Sequence, residues 1–186
     1  MRRTSAADRR GVRAAISHDV AMATPSGSAA VLDHLAALGV AYELVECDPD
    51  FADTAQFCER YGYSMDASAN AICVVGKSAE RPIACCVVLA STRLDVNGVV
   101  RRRLGTRKAS FAGAEETVAR TGMMIGGVTP FGLPDDIEVW IDSRVMDCDA
   151  VILGGGSRDC KILCPPEGLT QIASAEVVAD LAKTLS

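Results

Sequence analysis

The sequence predicts one α/β or α+β domain organised around a mixed β-sheet. Strand-like apolar runs alternate with segments of helical periodicity, and two of those runs are close enough in sequence to form a hairpin. Of the 186 residues, 49% are hydrophobic and 23% are charged, which is typical of a globular protein. A chain of about 150 residues can already bury one sizeable core, so a single domain is expected.

The first twenty residues differ in charge from the rest of the chain. They hold five arginines against Asp8 and Asp19 and so carry +3, although the whole chain carries −5. They lack the apolar segment of a secretory signal. A frayed tail or an over-long start is favoured over an organelle transit peptide. With the linker at residues 23–28 (ATPSGS), this predicts a disordered basic tail over residues 1–26 and a folded domain over residues 27–186.

Helices and strands should alternate in the first part of the domain. Residues 28–38 carry a helical stripe of apolar residues that ends before a glycine, and residues 41–46 alternate like a half-buried strand. Residues 53–62 begin with a capping pair and end in glycine, as a short helix does. Residues 70–76 and 82–90 are apolar on both faces, so they are predicted to form an antiparallel hairpin at the centre of the sheet.

The second part should continue the alternation. Asp95 can cap a helix that runs to Leu104, and residues 114–120 form another helix with acidic residues in its first turn. Three more strands are predicted, and residues 174–185 have the periodicity of a closing helix. The three strands cover residues 137–142, 150–156 and 160–165.

Several classes of site are disfavoured by the sequence. It contains no serine-nucleophile elbow, no phosphate loop and no dinucleotide fingerprint, and only His18 and His34 are histidines. The eight cysteines lie mostly in or near apolar runs and are interpreted as reduced core residues. The hypothesis of a thiol-based redox or metal protein is therefore supported only by the number of cysteines, and neither a metal nor a cofactor is expected.

The stretch TGMMIGGVTPFGLPDD, residues 121–136, combines apolar side chains with four glycines and two prolines. Glycine permits positive φ and close approach, while proline fixes the turns. Such a loop can offer main-chain N–H and C=O groups to a ligand. Loop statistics alone favour the alternative, a tight crossover between helix and strand.

Three segments in sequence order resemble the YbaK/prolyl-tRNA synthetase-associated domain, whose free-standing members are aminoacyl-tRNA deacylases. They are RKASFAGAEETVAR at 107–120, TGMMIGGVTPFGL at 121–133 and VILGGGSRDCKIL at 151–163. The Gly-x-x-x-Pro element of that family matches Gly126 to Pro130, and the likeness runs from residue 28 to the C-terminus. The resemblance implies a mixed, mostly antiparallel, barrel-like central sheet with flanking helices.

The resemblance also implies a function: hydrolysis of the ester that joins a wrong amino acid to the 3′ end of tRNA. A hydrophobic pocket separates substrates that differ by one methylene by only about 1–3 kcal/mol, so a second, hydrolytic site removes the errors. Water would attack with help from the terminal ribose hydroxyl. The implied catalytic residues are Asn70, Gly126 and Thr129, of which Thr129 either positions water or only fills a turn. The implied substrate-binding residues are Lys108, Gly127, Val128, Pro130, Phe131, Gly155 and Arg158.

One position departs from the family pattern. The family commonly carries a lysine in a motif like FKTL, which aligns with ANAI at residues 69–72 and places Asn70 at the lysine position. Asparagine supplies hydrogen bonds but no charge. Lys77 lies seven strand residues away, about 23 Å, whereas Lys108 is a better source of positive charge. The alternative is a non-catalytic module that binds aminoacyl-tRNA, a synthetase or a small amino-acid-like ligand.

The overall charge restricts how the chain could bind RNA. A pI near 5.0 gives no general attraction for phosphates, so any tRNA contact must be local. The dense basic cluster at residues 101–108 is either such a contact or a solvated helix end, and Phe111 and Phe131 are the aromatic residues placed to stack on bases. The expected partner is the 3′ end of an aminoacyl-tRNA, with an aminoacyl-tRNA synthetase as a further candidate; DNA is not expected. No apolar run approaches the roughly 20 residues of a membrane span, so a cytoplasmic protein without membrane contact is expected.

Overall fold

The computed structural model describes residues 29–185. The tail predicted for residues 1–26 lies outside these residues, as does residue 28, where the first helix is predicted to begin. Four α-helical and ten β-strand segments occur in the described part of the chain. In order they are α1 (Ala29–Leu38), β1 (Glu43–Glu46), α2 (Thr54–Tyr61), β2 (Ala69–Gly76), β3 (Ile83–Leu89), β4 (Thr92–Leu94), α3 (Arg101–Arg103), β5 (Ala109–Phe111), α4 (Ala114–Thr121), β6 (Glu138–Asp142), β7 (Val151–Gly154), β8 (Cys160–Cys164), β9 (Ala175–Val178) and β10 (Ala182–Thr184).

The central sheet is mixed and has five strands in the order β5-β2-β3-β6-β9. The hairpin predicted from sequence is confirmed: β2 and β3 pair antiparallel from Ala69 opposite Leu89 to Val75 opposite Ile83. The pairs β3–β6 and β6–β9 are parallel, whereas the other pairings between described strands are antiparallel. The mixed α/β architecture is therefore confirmed, but the central sheet itself has two antiparallel and two parallel pairings and is not mostly antiparallel.

A second sheet of three strands, β1-β8-β7, packs beside the first, and β10 pairs with β4. One parallel bridge, Ser68 with Ile152, joins the start of β2 to β7. Between the strands described here, no further pairing closes the sheets into a barrel, so the barrel-like part of the prediction stays unconfirmed.

The core follows from the apolar runs of the sequence. Every residue of β3 is buried, as expected for a central strand that is covered on both faces. One face of the central sheet packs against α1 and the glycine-rich loop, residues 121–136, through Val31, Leu35 and Phe131. On the other face, Trp140 of β6 packs within a second cluster of buried residues. In residues 29–185 no helix has the length and apolarity to cross a bilayer.

The predicted helix ends are confirmed where glycine supplies them. Gly62 follows α2 with φ 76° and Gly122 follows α4 with φ 73°, both in the left-handed region that glycine adopts without strain. Asp95 accepts a hydrogen bond from Val99 N–H and starts a π-helical turn, Val96–Val100, that leads into α3. The capped helix predicted there is thus present with an irregular first turn.

The prediction of a closing helix at residues 174–185 is wrong, because this segment forms strands β9 and β10. Its apolar spacing fits a helix stripe, but the β-branched pair Val177 and Val178 also suits a strand. In the fold, β9 pairs with β6 and β10 pairs with β4 across a turn where Asp180 has φ 57°. The segment is therefore extended because its backbone hydrogen-bonds to the otherwise unpaired edges of β6 and β4.

Candidate functional site

A cavity of about 430 Å³ opens beside the first half of β2. Its walls come from the start of α2, from β2, from the end of β5, from α4, from the glycine-rich loop and from the β7–β8 hairpin. The lining is mostly apolar with a few polar groups, which is typical of small-molecule sites of about 300–1,000 Å³. The lining residues are Asp53, Thr54, Ala69, Asn70, Ala71, Ile72, Cys73, Phe111, Ala112, Thr117, Ile125, Gly126, Val128, Gly154 and Lys161.

Asn70 contributes a fixed amide to the cavity wall. The hydroxyl of Thr54, the first residue of α2, donates to Asn70 Oδ1 at 2.5 Å. Because this bond occupies the amide oxygen, the Asn70 NH₂ group is left to donate. The side chain is half-buried in β2, so its position is set by both strand and helix.

The glycine-rich loop is irregular because it crosses directly over the β7–β8 hairpin. A Cβ on Gly127 would lie 2.6 Å from Ser157 O, and a Cβ on Gly154 would lie 2.2 Å from Val128 O. The two segments are also tied by a hydrogen bond of 2.8 Å from Gly156 N–H to Gly127 O. Glycine on both sides of the crossing is therefore required for the close approach of the two backbones.

Arg158 ties this loop to the segment before α2. Its guanidinium donates to Ile125 O at 2.8 Å and to Pro49 O at 2.7 Å, and contacts the Asp53 carboxylate at 3.4 Å. The Asp53 side chain therefore does not accept the helix N-terminal N–H that the capping pattern predicts. Instead it lines the cavity next to Gly126, whose φ is 91°.

Lys161 is the functional candidate that the sequence reasoning missed. It lies on β8 opposite Gly154 and Val45, and only 4% of it is exposed. Residues directly opposite in antiparallel strands share a face, so the missing side chain at Gly154 leaves room for the lysine stem. Its Nζ donates to Ala52 O at 2.5 Å and to Gly126 O at 2.8 Å. The available signal was a lysine inside the apolar strand CKILC.

Burial and neighbouring charges perturb the titration of this lysine. Burial lowers the pKa of Lys161, and the nearby Arg158 acts in the same direction. Cys47, Asp53 and Cys160 oppose that effect. The site thus holds an ammonium group that is less strongly protonated than an exposed lysine.

The thiols give little support to a cysteine nucleophile. Seven of the eight cysteines are buried and Cys148 is half-buried. Burial raises the pKa of Cys47 and Cys160, and raises that of Cys164 to about 12. Cys73 lines the cavity and has a lowered pKa because the Cys85 thiol, opposite it on β3, hydrogen-bonds to it. Among residues 29–185, no three His, Cys, Asp or Glu side chains are grouped as metal ligands would be.

The structure brings only some of the predicted site residues together. Asn70, Gly126 and Val128 line the cavity, whereas Gly127 lies at the backbone crossing. Thr129 is fully buried and outside the lining, and its hydroxyl has no partner within residues 29–185. The remaining predicted residues also lie outside the lining: Lys108 directly before β5, Pro130 buried, Phe131 in the core beside His34, Gly155 against Cys160, and Arg158 behind the loop.

Apolar side chains surround the outer edge of the cavity. Phe111 is 57% exposed and Ile125 is 50% exposed, and both line it. Met124 is exposed beside Ile125. These side chains offer a surface on which a planar ring can stack.

Comparison with known proteins agrees with the fold. The chain is 28% identical over 141 residues to the uncharacterized protein YwhH of Bacillus subtilis (strain 168), which covers 76% of this chain and 87% of that protein. A crystal structure of a putative trans-editing enzyme for prolyl tRNA synthetase matches with a TM-score of 0.73 and 22% identity, over 88% of this chain and 100% of that one. The crystal structure of hypothetical protein APE2540 also gives a TM-score of 0.73, with 24% identity over 83% of this chain and 99% of that one.

The family comparison covers the site itself. The model of the aminoacyl-tRNA editing domain matches residues 48–172, which include α2, β2, the glycine-rich loop and the β7–β8 hairpin. The resemblance seen in the sequence is therefore confirmed, and this chain belongs to the aminoacyl-tRNA editing domain family.

Proposed function

We propose that this protein hydrolyses the ester bond between a wrongly attached amino acid and the 3′ end of tRNA. The observation that carries the proposal is the mostly apolar cavity beside Asn70 and the Gly126 carbonyl, in a chain of the aminoacyl-tRNA editing family. An apolar cavity with a few fixed polar groups suits an aminoacyl side chain and the ribose to which it is attached.

The proposed reaction uses water and the substrate's own ribose hydroxyl, with main-chain and amide groups to orient the ester. The Asn70 NH₂ group can donate to a substrate oxygen, and Gly126, whose main-chain oxygen accepts from Lys161, lines the same cavity. A rigid, preoriented donor such as the Asn70 NH₂ group stabilises the negative charge that develops on the carbonyl oxygen during acyl transfer. In this proposal Thr129, buried outside the cavity, supports the loop and does not touch substrate.

A basic surface supports tRNA as the partner. Lys77 N–H donates to Lys108 O, and the Arg101 side chain donates to Arg107 O, so these four cationic residues are neighbours. None of them forms a salt bridge within residues 29–185. The strand β5 runs from this surface to Phe111 at the cavity, about 10 Å away for three strand residues. Phosphates of the acceptor end could bind there while the acylated terminus enters the cavity.

The test is a deacylation panel with alanyl-, seryl- and cysteinyl-tRNA as substrates. Asn70→Ala should reduce the rate on the preferred substrate by about 10- to 100-fold, because a hydrogen bond at a reacting group contributes roughly 1.5–3 kcal/mol. Asn97→Ala is the matched control, since Asn97 is exposed on the π-helical turn. If the wild type is inert on every mischarged tRNA, the hydrolytic function is refuted.

A second candidate function is favoured by one residue. Because Asn70 stands where the family commonly has lysine, the domain could bind aminoacyl-tRNA, a synthetase or a small amino-acid-like ligand without turnover. Tight binding of aminoacyl-tRNA together with an unchanged ester half-life would support it. For either function we propose residues 27–186 as the folded unit and a cytoplasmic location.

A further inference from the structure

Lys161 places a buried ammonium group against a cavity whose other walls are mostly apolar. An ammonium group has three N–H donors. Two of them are directed at main-chain oxygens, those of Ala52 and Gly126. Within residues 29–185 the Phe57 ring lies with its centroid 5.5 Å from Lys161 Nζ, and no third oxygen or nitrogen acceptor contacts it, so one donor remains available to a ligand in the cavity.

The charge of Lys161 is not neutralised by an ion pair. In the described part of the chain no carboxylate lies within 4.0 Å of its Nζ, and the nearby Asp53 carboxylate contacts Arg158. The thiols of Cys47 and Cys160 are the other titratable groups that face it, and burial keeps both protonated by raising their pKa. A buried cation without a counter-ion is stabilised by any ligand oxygen that carries negative charge.

The position of Lys161 also bears on the substitution at Asn70. The two residues lie on different strands, β8 and β2, yet both line the same cavity. Asn70 is held by Thr54 and supplies only neutral hydrogen bonds. The charge that the family's common lysine would bring from β2 therefore reaches this cavity from β8.

We propose that Lys161 is the cation of the acyl site and that its third N–H binds the carbonyl oxygen of the aminoacyl ester. This inference rests on the proposed function and adds a catalytic residue to it. The interaction should strengthen during the reaction, because negative charge develops on the oxygen beside the ammonium group.

The electron movements are those of ester hydrolysis. The oxygen of water forms a bond to the carbonyl carbon, and the π pair moves onto the carbonyl oxygen next to Lys161. When that pair re-forms the C=O bond, the bond from carbon to the ribose oxygen breaks. One proton of the water ends on the ribose oxygen, and the products are the free amino acid and the tRNA hydroxyl.

The experiment measures kcat of the full chain on its preferred mischarged tRNA for Lys161→Met and Lys161→Gln. We expect both to lower kcat by about 10²- to 10³-fold, the usual cost of removing one oxyanion donor. Lys183→Met, which removes an exposed lysine of β10 in the separate two-stranded sheet, is the matched control and should leave kcat within about twofold. Near-ultraviolet circular dichroism establishes that each variant is folded.

Folded Lys161 variants with wild-type kcat would overturn the inference and leave Lys161 as a structural cross-link. The wild-type pH profile provides a second test that does not depend on the variants folding. After subtraction of hydroxide hydrolysis, kcat should fall as the pH rises through the lowered pKa of Lys161, and a flat alkaline profile overturns the inference.

Binding of a non-hydrolysable 3′-aminoacylamino-adenosine separates this inference from the proposed function. If the wild type is inert on every tRNA but binds this analogue at least about tenfold more tightly than Lys161→Met does, hydrolysis is refuted and Lys161 remains the cation of the acyl site. Equal affinities for the two proteins overturn the inference itself.

Discussion

The close crossing of two backbones at Gly154 gives the sharpest test of how the cavity is built. A Cβ at this position would lie 2.2 Å from Val128 O and 2.7 Å from Gly127 O, whereas ordinary contacts begin at 3.4 Å. Gly154→Ala must therefore move the glycine-rich loop away from β7 by about 1.2 Å. Both obstructing atoms belong to the main chain, so no side-chain rotation can relieve the contact.

The magnitude follows from two contributions. Forcing an extra methyl group into a packed site costs about 1–3 kcal/mol. The same movement stretches the 2.8 Å hydrogen bond from Gly156 N–H to Gly127 O beyond hydrogen-bonding distance, which costs about 1 kcal/mol more. Gly154→Ala should therefore lower the free energy of unfolding by about 2–4 kcal/mol.

Urea denaturation followed by tryptophan fluorescence measures this change, because Trp140 is buried in the central sheet. The matched control is Gly113→Ala, since a Cβ there meets nothing within 4 Å and φ is −68°. Because Gly113 is the N-cap of α4, where alanine is less favoured than glycine, the control should lower the free energy of unfolding by no more than about 1 kcal/mol. Equal stability of the two variants would show that the crossing does not constrain the loop.

Three further predictions concern residues around the same loop. Lys161→Met should flatten the alkaline pH dependence of stability. The pKa of Lys161 is lowered in the folded protein, so between that pKa and the ordinary lysine value the unfolded chain binds more protons than the folded one. Over that range the stability of the wild type therefore rises with pH, and the variant should lack this rise. Parallel urea titrations from neutral to alkaline pH would contradict this if both proteins gave the same slope. His34→Ala should cost about 1–3 kcal/mol, because His34 Nδ1 accepts the part-buried Gly132 N–H at 2.7 Å and its loss leaves that donor unpaired. Thermal unfolding measures the cost, and an unchanged midpoint would refute it. Phe111→Ala should weaken binding of an acylated acceptor-end RNA by about 1–3 kcal/mol through lost base stacking, while stability changes little because Phe111 is exposed. Fluorescence anisotropy tests this, and unaltered affinity would remove Phe111 from the binding surface.

Local patterns in the sequence predicted most of the fold. The hairpin of β2 and β3 follows from two apolar runs with a short connection, and α2 and α4 end at glycines as the sequence indicates. The segment at residues 174–185 could not be predicted in this way, because its apolar spacing fits both a helix and a strand. The segment forms strands because it pairs with β4 and β6, which are distant from it in sequence.

The site was predictable in part for the same physical reason. The glycines of the loop indicate that its backbone closely approaches another segment, but only the fold shows that this segment is the β7–β8 hairpin. Lys161 was missed because a lysine in a strand usually projects into solvent. Its burial depends on Gly154 opposite and on two carbonyl oxygens from other parts of the chain.

These contacts also explain how an irregular loop can form a rigid wall. A loop without a regular ladder leaves main-chain carbonyl oxygens that need donors. Lys161 and Arg158, three residues apart on the β7–β8 hairpin, supply donors and accept nothing. Each reaches both the segment before α2 and the glycine-rich loop, through the oxygens of Ala52 and Gly126 and through those of Pro49 and Ile125. The two cations therefore fix the shape of the cavity and set its charge together, so a substitution at either one should alter ligand geometry as well as electrostatics.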